Sequence, residues 1–182
     1  MKLKYALTQE DFLTYQLFAA SKKPSVKAAR DRSRFVVPLI MFAFALFAFF
    51  SGATLSLVLT YLIIGLLWIL FHPKYSARNY RRHYAKHVAE THVGRIGISS
   101  TLALEADQLV VNSPVGETKI NLDQVKKIET IATHFFITLQ IGDTFVLPRN
   151  RALEEGEASA FIERLAEEKG LSVVDRSEWI WK

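Results

Sequence analysis

Hydrophobic residues form one long uncharged stretch from Phe35 to Phe71, and only Ser51-Gly52-Ala53 interrupts it. A helix rises about 1.5 Å per residue, so a single helix of this length would reach about 55 Å, nearly twice the hydrocarbon thickness of a bilayer. Divided at the small residues, the stretch gives two segments, 35–50 and 54–71, each about 24–27 Å long. It also begins too late and runs too long for a cleaved signal peptide. We therefore predict a transmembrane helical hairpin over residues 35–71.

The residues before the hairpin, 1–34, show a strand pattern followed by a helix pattern. Leu3, Tyr5 and Leu7 alternate with less apolar positions, which predicts a short half-buried strand. Thr8 then has a side chain of the type that caps the first amides of a helix. The helix is predicted to bury a face against the cytoplasmic domain or the membrane surface. Two adjacent apolar stripes indicate that face: Phe12, Tyr15 and Ala19, and beside them Leu13, Leu17 and Ala20.

After the hairpin, residues 72–95 predict a basic juxtamembrane helix that leaves the membrane. From Ile98 onward the apolar period changes to two, and about six short strands follow. The four residues 105–108 are predicted to form one turn, and Gly142-Asp143 is typical of a two-residue hairpin turn. A helix over residues 154–169 ends at Gly170. Its predicted inward-facing residues are Phe161, Ile162 and Leu165.

The predicted fold class is therefore a membrane α+β protein. A two-helix transmembrane hairpin carries a small antiparallel β-barrel or sandwich, residues 96–182, which the C-terminal helix caps. A run of antiparallel strands followed by one helix is compatible with a pleckstrin-homology-like architecture. At 182 residues the chain has room for the hairpin and one small domain.

Charge is distributed unevenly along the chain. Residues 1–34, 72–95 and 96–182 have formal charges of +5, +5 and −5. Because basic residues flank the hairpin and its turn has none, we predict a multi-pass protein of the cytoplasmic (inner) membrane with both termini in the cytoplasm. The basic segments favour anionic lipid headgroups as partners, and not nucleic acid. The chain has no cysteine, which agrees with a reducing compartment and excludes disulfides.

The chain resembles the YcxB-like family of bacterial membrane proteins over most of its length. The order and spacing of several short segments carry the resemblance. They are Leu7-Thr8-Gln9-Glu10-Asp11-Phe12, the double span, Asn112-Ser113 followed by Gly116-Glu117-Thr118, Val125 to Glu129, Phe135-Phe136, and Phe145-Val146-Leu147-Pro148-Arg149. The resemblance implies an N-terminal segment, two transmembrane helices and a pleckstrin-homology-like cytoplasmic domain. It implies no activity and no catalytic residue.

Four basic residues of the β domain form a candidate binding site, which we name the basic rim: Lys126, Lys127, Arg149 and Arg151. They could meet at one end of the domain and bind an anionic headgroup or a peptide carboxylate, because Arg offers a bidentate fork and Lys a point charge. They could instead be ordinary exposed charges on strand edges and a loop.

Four other residues are candidates for the membrane interface. Arg34 and Lys74 flank the hairpin and could extend their charged ends toward the headgroups. Trp179 and Trp181 could insert at the interface, where indoles concentrate, or pack on the domain.

His83, His87 and Glu90 lie at i, i+4 and i+7, so one helix face could present them to a metal. Such clusters also arise on ordinary solvated helices. We predict no metal, no cofactor and no catalytic residue, because the chain lacks a phosphate-binding glycine loop, a nucleophile elbow and a paired-carboxylate site. Ala48 and Gly52 form a small-xxx-small pair that could support a homodimer.

Three functions follow from these features. The leading hypothesis is a non-enzymatic, membrane-anchored adaptor or regulator whose β domain binds a protein, peptide or lipid headgroup through a sheet edge or the basic rim. The alternative is a membrane-embedded immunity or inhibitory protein that neutralises a partner through its hairpin. The third is a metal-dependent enzyme that uses His83, His87 and Glu90.

Overall fold

The structure, a computed structural model, describes residues 1–114, 116–149 and 157–182, and of Glu157 only the backbone. These residues form two compact units. The β unit comprises Met1–Tyr15 and Ala85–Ile180, and the helical unit comprises Gln16–Tyr84 and Trp181–Lys182. The β unit thus includes the first residues of the chain, which supply a strand to it, and the chain from Ala85 onward, before the predicted start at residue 96.

The predicted N-terminal strand and helix are present as β1, Lys2–Ala6, and α1, Gln9–Lys22. The cap at the start of α1 differs from the expected one. The backbone N–H and the hydroxyl of Thr8 both donate to Asp11 Oδ2, each at 2.7 Å. Asp11 is thus the acceptor, and the arrangement is one half of a capping box. Of the two predicted stripes the second is the more deeply buried, since Leu13, Leu17 and Ala20 are buried and Tyr15 and Ala19 only partly.

The hairpin consists of α2, Pro24–Phe50, and α3, Leu55–Thr91. Both are longer than the predicted spans. Pro24 begins α2, as suits a residue without an N–H, whereas Pro38 and Pro73 lie inside helices. The predicted juxtamembrane helix is therefore helical but continuous with the second span. Gly52, at a φ of +71°, lies in the turn between the helices.

The apolar side chains of α2 and α3 remain largely exposed. The most apolar 18-residue windows of the two helices have mean hydropathies of 2.1 and 2.2, and 11% of each window is buried. A core helix of a soluble protein would be mostly buried. Both helices are long and apolar enough to cross a membrane, which suggests that the protein is membrane-associated.

The first sheet of the β unit has the strand order β1-β2-β3-β4, and every pair is antiparallel. Its other strands are β2, Ser99–Glu105, β3, Gln108–Ser113, and β4, Gly116–Asn121. The predicted turn over 105–108 is confirmed. Glu105 and Gln108 pair as its first and last residues, and Ala106 between them adopts a φ of +48°.

The second sheet has the order β7-β6-β5-β8. It consists of β5, Val125–Thr130, β6, His134–Leu139, β7, Thr144–Pro148, and β8, Val173–Asp175. The turn between β6 and β7 spans four residues, 140–143, so the two-residue turn predicted at Gly142-Asp143 is wrong. β8 was not predicted; it pairs with β5 in parallel.

The main core lies between strands of both sheets and α4, Glu157–Lys169. The predicted inward residues Phe161, Ile162 and Leu165 are at most 1% exposed, which confirms the helix face. Gly170 follows α4 at a φ of +66°, and the N–H of Leu171 donates to the carbonyl of Ala166, as at many glycine-terminated helices. The layout of long apolar helices, antiparallel strands and a C-terminal helix is compatible with the predicted α+β class.

Candidate functional site

The basic rim is partly neutralised by acidic residues of the same sheet. Lys127 Nζ lies 2.9 Å from Glu129 Oε2, and Arg176 Nε lies 3.4 Å from Glu129 Oε1. The Glu129 side chain is 5% exposed, so its carboxylate depends on such cations for a favourable environment. Lys127 therefore has a structural role in the fold.

Arg149, a second member of the rim, is also engaged. Its guanidinium lies 5.1 Å from the ring centroid of Phe135, and its backbone N–H donates to the carbonyl of Thr133. The pKa of the nearby Asp175 lies below its ordinary value because the backbone and hydroxyl of Ser177 hydrogen-bond to the carboxylate and, secondarily, because of the charge of Arg149.

The other two members of the rim are less informative. Lys126 is exposed, next to Lys127 in β5. Arg151 lies outside the described residues. Lys127 lies in a sheet that also carries Glu129 and Asp175, and Arg149 directly follows β7 of that sheet. Arg176, which was not predicted, directly follows β8 and contacts Glu129. Sequence reasoning missed Arg176 because β8 was missed.

A buried acid–base pair includes Asp11, in the first turn of α1. Asp11 Oδ1 and His134 Nε2 are 3.0 Å apart, and both residues are buried. Burial raises the pKa of Asp11, but hydrogen bonds from His134 and from Thr8 lower it more, so the pKa lies below its ordinary value. His134 Nδ1 lies 2.8 Å from the Thr133 hydroxyl. Both ring nitrogens therefore have partners, and the pair joins α1 to β6.

Rings surround this pair. Phe12 stacks on His92 at a centroid distance of 4.4 Å, Tyr15 lies 5.7 Å from Phe136, and His134 is parallel to Phe136 at 6.0 Å. This layer lies outside the main core. Residues from three distant parts of the chain meet in it, which explains why periodicity alone could not reveal it.

A groove of about 460 Å³ runs between β4 and the β6–β7 connection. β4 and β7 are outer strands of their sheets, and no described strand pairs with the free side of either. Ile141, at 75% exposed, is the most exposed large apolar side chain of the groove. The lining residues are Thr118, Lys119, Ile120, Asn121, Gln124, Leu139, Ile141, Asp143 and Phe145.

The register identifies which backbone groups of β4 point outward. The N–H of Leu104 donates to the carbonyl of Met1, the residue before β1, so the backbone groups of the preceding residue, Ala103, face β3. Ala103 pairs with Val110, so the backbone groups of Val110 point to β2. Val110 also pairs with Lys119, whose backbone groups therefore point away from β3. By the same alternation Glu117 and Asn121 also present their N–H and C=O groups to the open side.

A basic cleft of about 430 Å³ lies within the helical unit. It contains Arg34, a predicted interface residue, whose buried Nε has no hydrogen-bond partner among the described residues. Lys74, the other predicted interface cation, is exposed and does not line the cleft. The lining residues are Ala20, Ser21, Val26, Lys27, Arg30, Asp31, Arg34, His72, Pro73 and Ser76.

The two terminal tryptophans differ in their surroundings. Trp181 packs on the helical unit: its Nε1 donates to the carbonyl of Ala77 at 2.9 Å, and its ring lies 4.9 Å from the guanidinium of Arg30. Arg30 also donates to the main-chain oxygen of Lys182. Trp179 is partly buried, in the β unit. Trp181 thus packs on helical residues and not on the β domain, and insertion of the tryptophans at the membrane interface stays a prediction.

The remaining candidates form no site. Within the described ranges no group of three His, Asp or Glu side chains is arranged to hold a metal. His87 Nδ1 lies 3.4 Å from the hydroxyl of Thr91, and Glu90 lies 3.8 Å from Lys86. Ala48 is 6% exposed within the single chain and Gly52 is exposed in the turn, and the homodimer stays a prediction.

Comparison of the chain with protein-family models, with curated proteins and with solved structures found no match. The resemblance to the YcxB-like family and the pleckstrin-homology-like architecture therefore stay predictions.

Proposed function

We propose that the protein is a non-enzymatic, membrane-anchored adaptor or regulator whose β unit binds an extended peptide segment of a membrane or cytoplasmic partner. The hairpin tethers the β unit to the inner membrane with both termini in the cytoplasm. Tethering raises the effective concentration of the β unit near membrane partners, so modest affinity suffices.

The exposed apolar surface of the hairpin supports the anchor. Large side chains such as Phe47 and Phe50 are 72% and 78% exposed. Such a surface is unfavourable in water but matches hydrocarbon. The bias of Lys and Arg toward the flanks of the hairpin supports the cytoplasmic orientation.

The open edge of β4 is the observation that carries the peptide-binding proposal. Its outward N–H and C=O groups provide the hydrogen bonds with which an added strand pairs, and the neighbouring groove provides apolar contacts for alternate side chains of that strand. Ile120, Phe145 and Ile141 are the apolar residues for such contacts.

The basic rim is a weaker candidate for the same role. Lys127 is paired with Glu129, and Arg149 is packed on Phe135. A ligand anion at the rim would have to compete with these internal contacts. No described strand pairs with the open side of β4, so we propose peptide binding there and treat the rim mainly as part of the fold.

A proline at Lys119 tests the edge. Lys119→Pro removes an outward N–H without removing a bond of the β3–β4 ladder, and proline is tolerated at such edge positions. Lys119→Ala is the matched control, because it removes the same side chain, and its ion pair with Glu117, but keeps the N–H. The measurement is crosslinking of affinity-tagged full-length chain in its own membrane, followed by mass spectrometry.

A partner that the Lys119→Ala variant retains and the Lys119→Pro variant loses supports the proposal. A partner captured equally by both variants contradicts binding at this edge. If that partner crosslinks instead to the exposed apolar residues of α2 and α3, the alternative of an immunity or inhibitory protein acting through the hairpin becomes the better account.

Single cysteines test the orientation, because the native chain has none. Ser51 lies in the turn between α2 and α3, and Ser113 ends β3. In intact bacterial cells, Ser51→Cys is expected to react with a membrane-impermeant maleimide and Ser113→Cys only after permeabilisation. The reverse pattern would contradict the cytoplasmic location of the β unit.

A further inference from the structure

The basic cleft of the helical unit combines excess positive charge with one unsatisfied donor. Lys27, Arg30 and Arg34 follow one another at i, i+3 and i+7 on α2, so they lie along one side of the helix. Asp31 is the only acidic residue among those that line the cleft, and it forms no ion pair with them in the described part of the chain. The cleft therefore has a net positive charge of its own.

Arg34 is the cleft residue with an unsatisfied hydrogen-bond donor. Its buried Nε has no acceptor among the residues that the structure describes, and its guanidinium lies 5.6 Å from the ring centroid of Phe35. A buried charged donor that lacks an acceptor is unfavourable, so a group that supplies oxygen atoms here removes that cost. Arg presents planar paired donors that match the oxygens of a phosphate.

The surrounding side chains are already positioned. The Ser33 hydroxyl donates to the carbonyl of Arg30, and its oxygen lies 3.1 Å from His72 Nε2, from which it can accept. Trp68 Nε1 donates to the carbonyl of Ser33 at 3.3 Å. These bonds join α2 to α3 at the level of the cleft, so a ligand would meet a largely preorganised site.

The cleft lies next to the exposed apolar surface of the two helices. Phe35, 55% exposed, directly follows Arg34, and Phe71, 63% exposed, directly precedes His72. The cleft thus lies where the exposed apolar surface of both helices begins. In a membrane-anchored protein this is the depth of the headgroups, and basic pockets between transmembrane helices on that side are suited to anionic headgroups.

We propose that this cleft binds the phosphate of an anionic phospholipid headgroup, with Arg34 as the principal ligand and Lys27 as a second cation. Arg30 contributes less, because the Trp181 ring and the Lys182 main-chain oxygen already engage it. This inference rests on the membrane anchor of the proposed function but not on peptide binding by the β unit.

The test is lipid retention by the full-length chain. The chain is reconstituted in nanodiscs of phosphatidylcholine and phosphatidylglycerol in equal amounts, and the lipids that stay bound on release are counted by native mass spectrometry. Arg34→Gln is expected to weaken retention of phosphatidylglycerol by about tenfold, the factor of one charge-assisted hydrogen bond. Arg34→Lys keeps the charge but loses the paired donors of the guanidinium. Its retention of phosphatidylglycerol should lie between that of the native chain and that of Arg34→Gln.

Arg78→Gln is the matched control, because Arg78 is exposed on α3 and does not line the cleft. An equal loss in the Arg78→Gln variant would overturn the proposal in favour of general surface attraction. Displacement of the bound lipid by inorganic phosphate at low concentration would overturn the lipid assignment and identify a free-phosphate site. Unaltered helicity of Arg34→Gln by circular dichroism shows that a loss is not unfolding.

Two further outcomes separate this proposal from the membrane anchor. Stable insertion into nanodiscs with no preference for phosphatidylglycerol overturns the cleft and leaves the anchor intact. Failure of the chain to insert into nanodiscs of either lipid overturns both.

Discussion

The two units of this protein differ in their balance of basic and acidic residues. The β unit contains 12 Lys/Arg and 17 Asp/Glu, and several of them form internal pairs, such as Asp11 with His134 and Glu129 with Lys127 and Arg176. Residues 16–84 of the helical unit contain ten Lys/Arg and one acidic residue, Asp31. Internal neutralisation is therefore available in the first unit and almost impossible in the second.

This difference teaches that the number of basic residues does not locate a binding site. The basic rim has the residue types of an anion site, but Lys127 pairs with the buried carboxylate of Glu129 and Arg149 packs on the ring of Phe135. The cations of the cleft have few internal partners, so anions from outside the chain can satisfy them. The following variants test whether the charges of the β unit stabilise the fold and those of the helical unit do not.

The largest expected effect is that of Asp11→Ala. It removes the cap of α1 and leaves His134 without its buried partner, so we expect the β unit to lose about 3 kcal/mol of stability. The measurement is amide hydrogen exchange of β6 in the full-length chain in detergent. Asp11→Asn keeps one oxygen acceptor and should lose less; an equal loss in both variants would contradict a role for these hydrogen bonds.

The same carboxyl predicts a pH dependence. The pKa of Asp11 lies below its ordinary value of 3.8, so its ionised form stabilises the fold at pH values above 3.8. That contribution is lost as the pH falls through the folded-state pKa. Protection of β6 should therefore decline in acid more steeply in the native chain than in Asp11→Asn. Parallel declines would show that Asp11 is not responsible.

A smaller effect is expected from removal of Lys127 and Arg176, two cations beside Glu129. The Lys127→Ala and Arg176→Ala double variant should lose about 2 kcal/mol, because both cations are about half exposed and the carboxylate is buried. Each single variant leaves one of the two cations, so the double loss should exceed the sum of the single losses. Simple additivity in denaturant titrations would contradict a shared role.

Trp181→Ala tests an internal partner of a cation in the helical unit. The variant loses the ring beside Arg30 and the bond to Ala77, together about 1 kcal/mol, so amides 179–182 should exchange about fivefold faster. Trp181→Phe keeps a ring, so its amide exchange rates should lie between those of the native chain and those of Trp181→Ala. Unchanged exchange in Trp181→Ala would show that the terminal segment is held by other contacts.

The smallest effect is expected for an exposed pair of the β unit. Lys169 Nζ lies 2.7 Å from Asp123 Oδ1, and this hydrogen bond, with the charge of Lys169, lowers the pKa of the Asp123 carboxyl. In Lys169→Ala the pKa of Asp123, followed by NMR, should return toward its ordinary value without a measurable change in the unfolding midpoint. A clear fall in the midpoint would mean that exposed pairs also stabilise this unit.

Local patterns predicted the elements better than their connections. The helical hairpin, β1 and the inward face of α4 all follow from the spacing of apolar residues, and the structure has them. The turn at 105–108 was right, but the two-residue turn predicted at Gly142-Asp143 was wrong, because a turn depends on which residues pair across the strands. β8 was missed because three residues give too short an alternation to detect.

The candidate site was only partly predictable. Arg34 and the rim cations were found by residue type and position. Whether a cation is available depends on its neighbours, and some of these come from distant parts of the chain: Arg176 meets Glu129, and the Trp181 ring meets Arg30. The open edge of β4 was likewise invisible, because an edge is defined by the strand that is absent beside it.

The sequence by itself determined that the chain has two long apolar helices, a β region with a final helix, and positive charge concentrated around the hairpin. These are properties of consecutive residues, set by the length of an apolar run, its period and its charge. Only the tertiary structure decided that β1 completes the first sheet, that Asp11 meets His134, that Arg176 meets Glu129, and that residues of α2 and α3 line one basic cleft. Those outcomes depend on contacts between residues far apart in sequence, because burial and charge pairing are set by what the fold brings together.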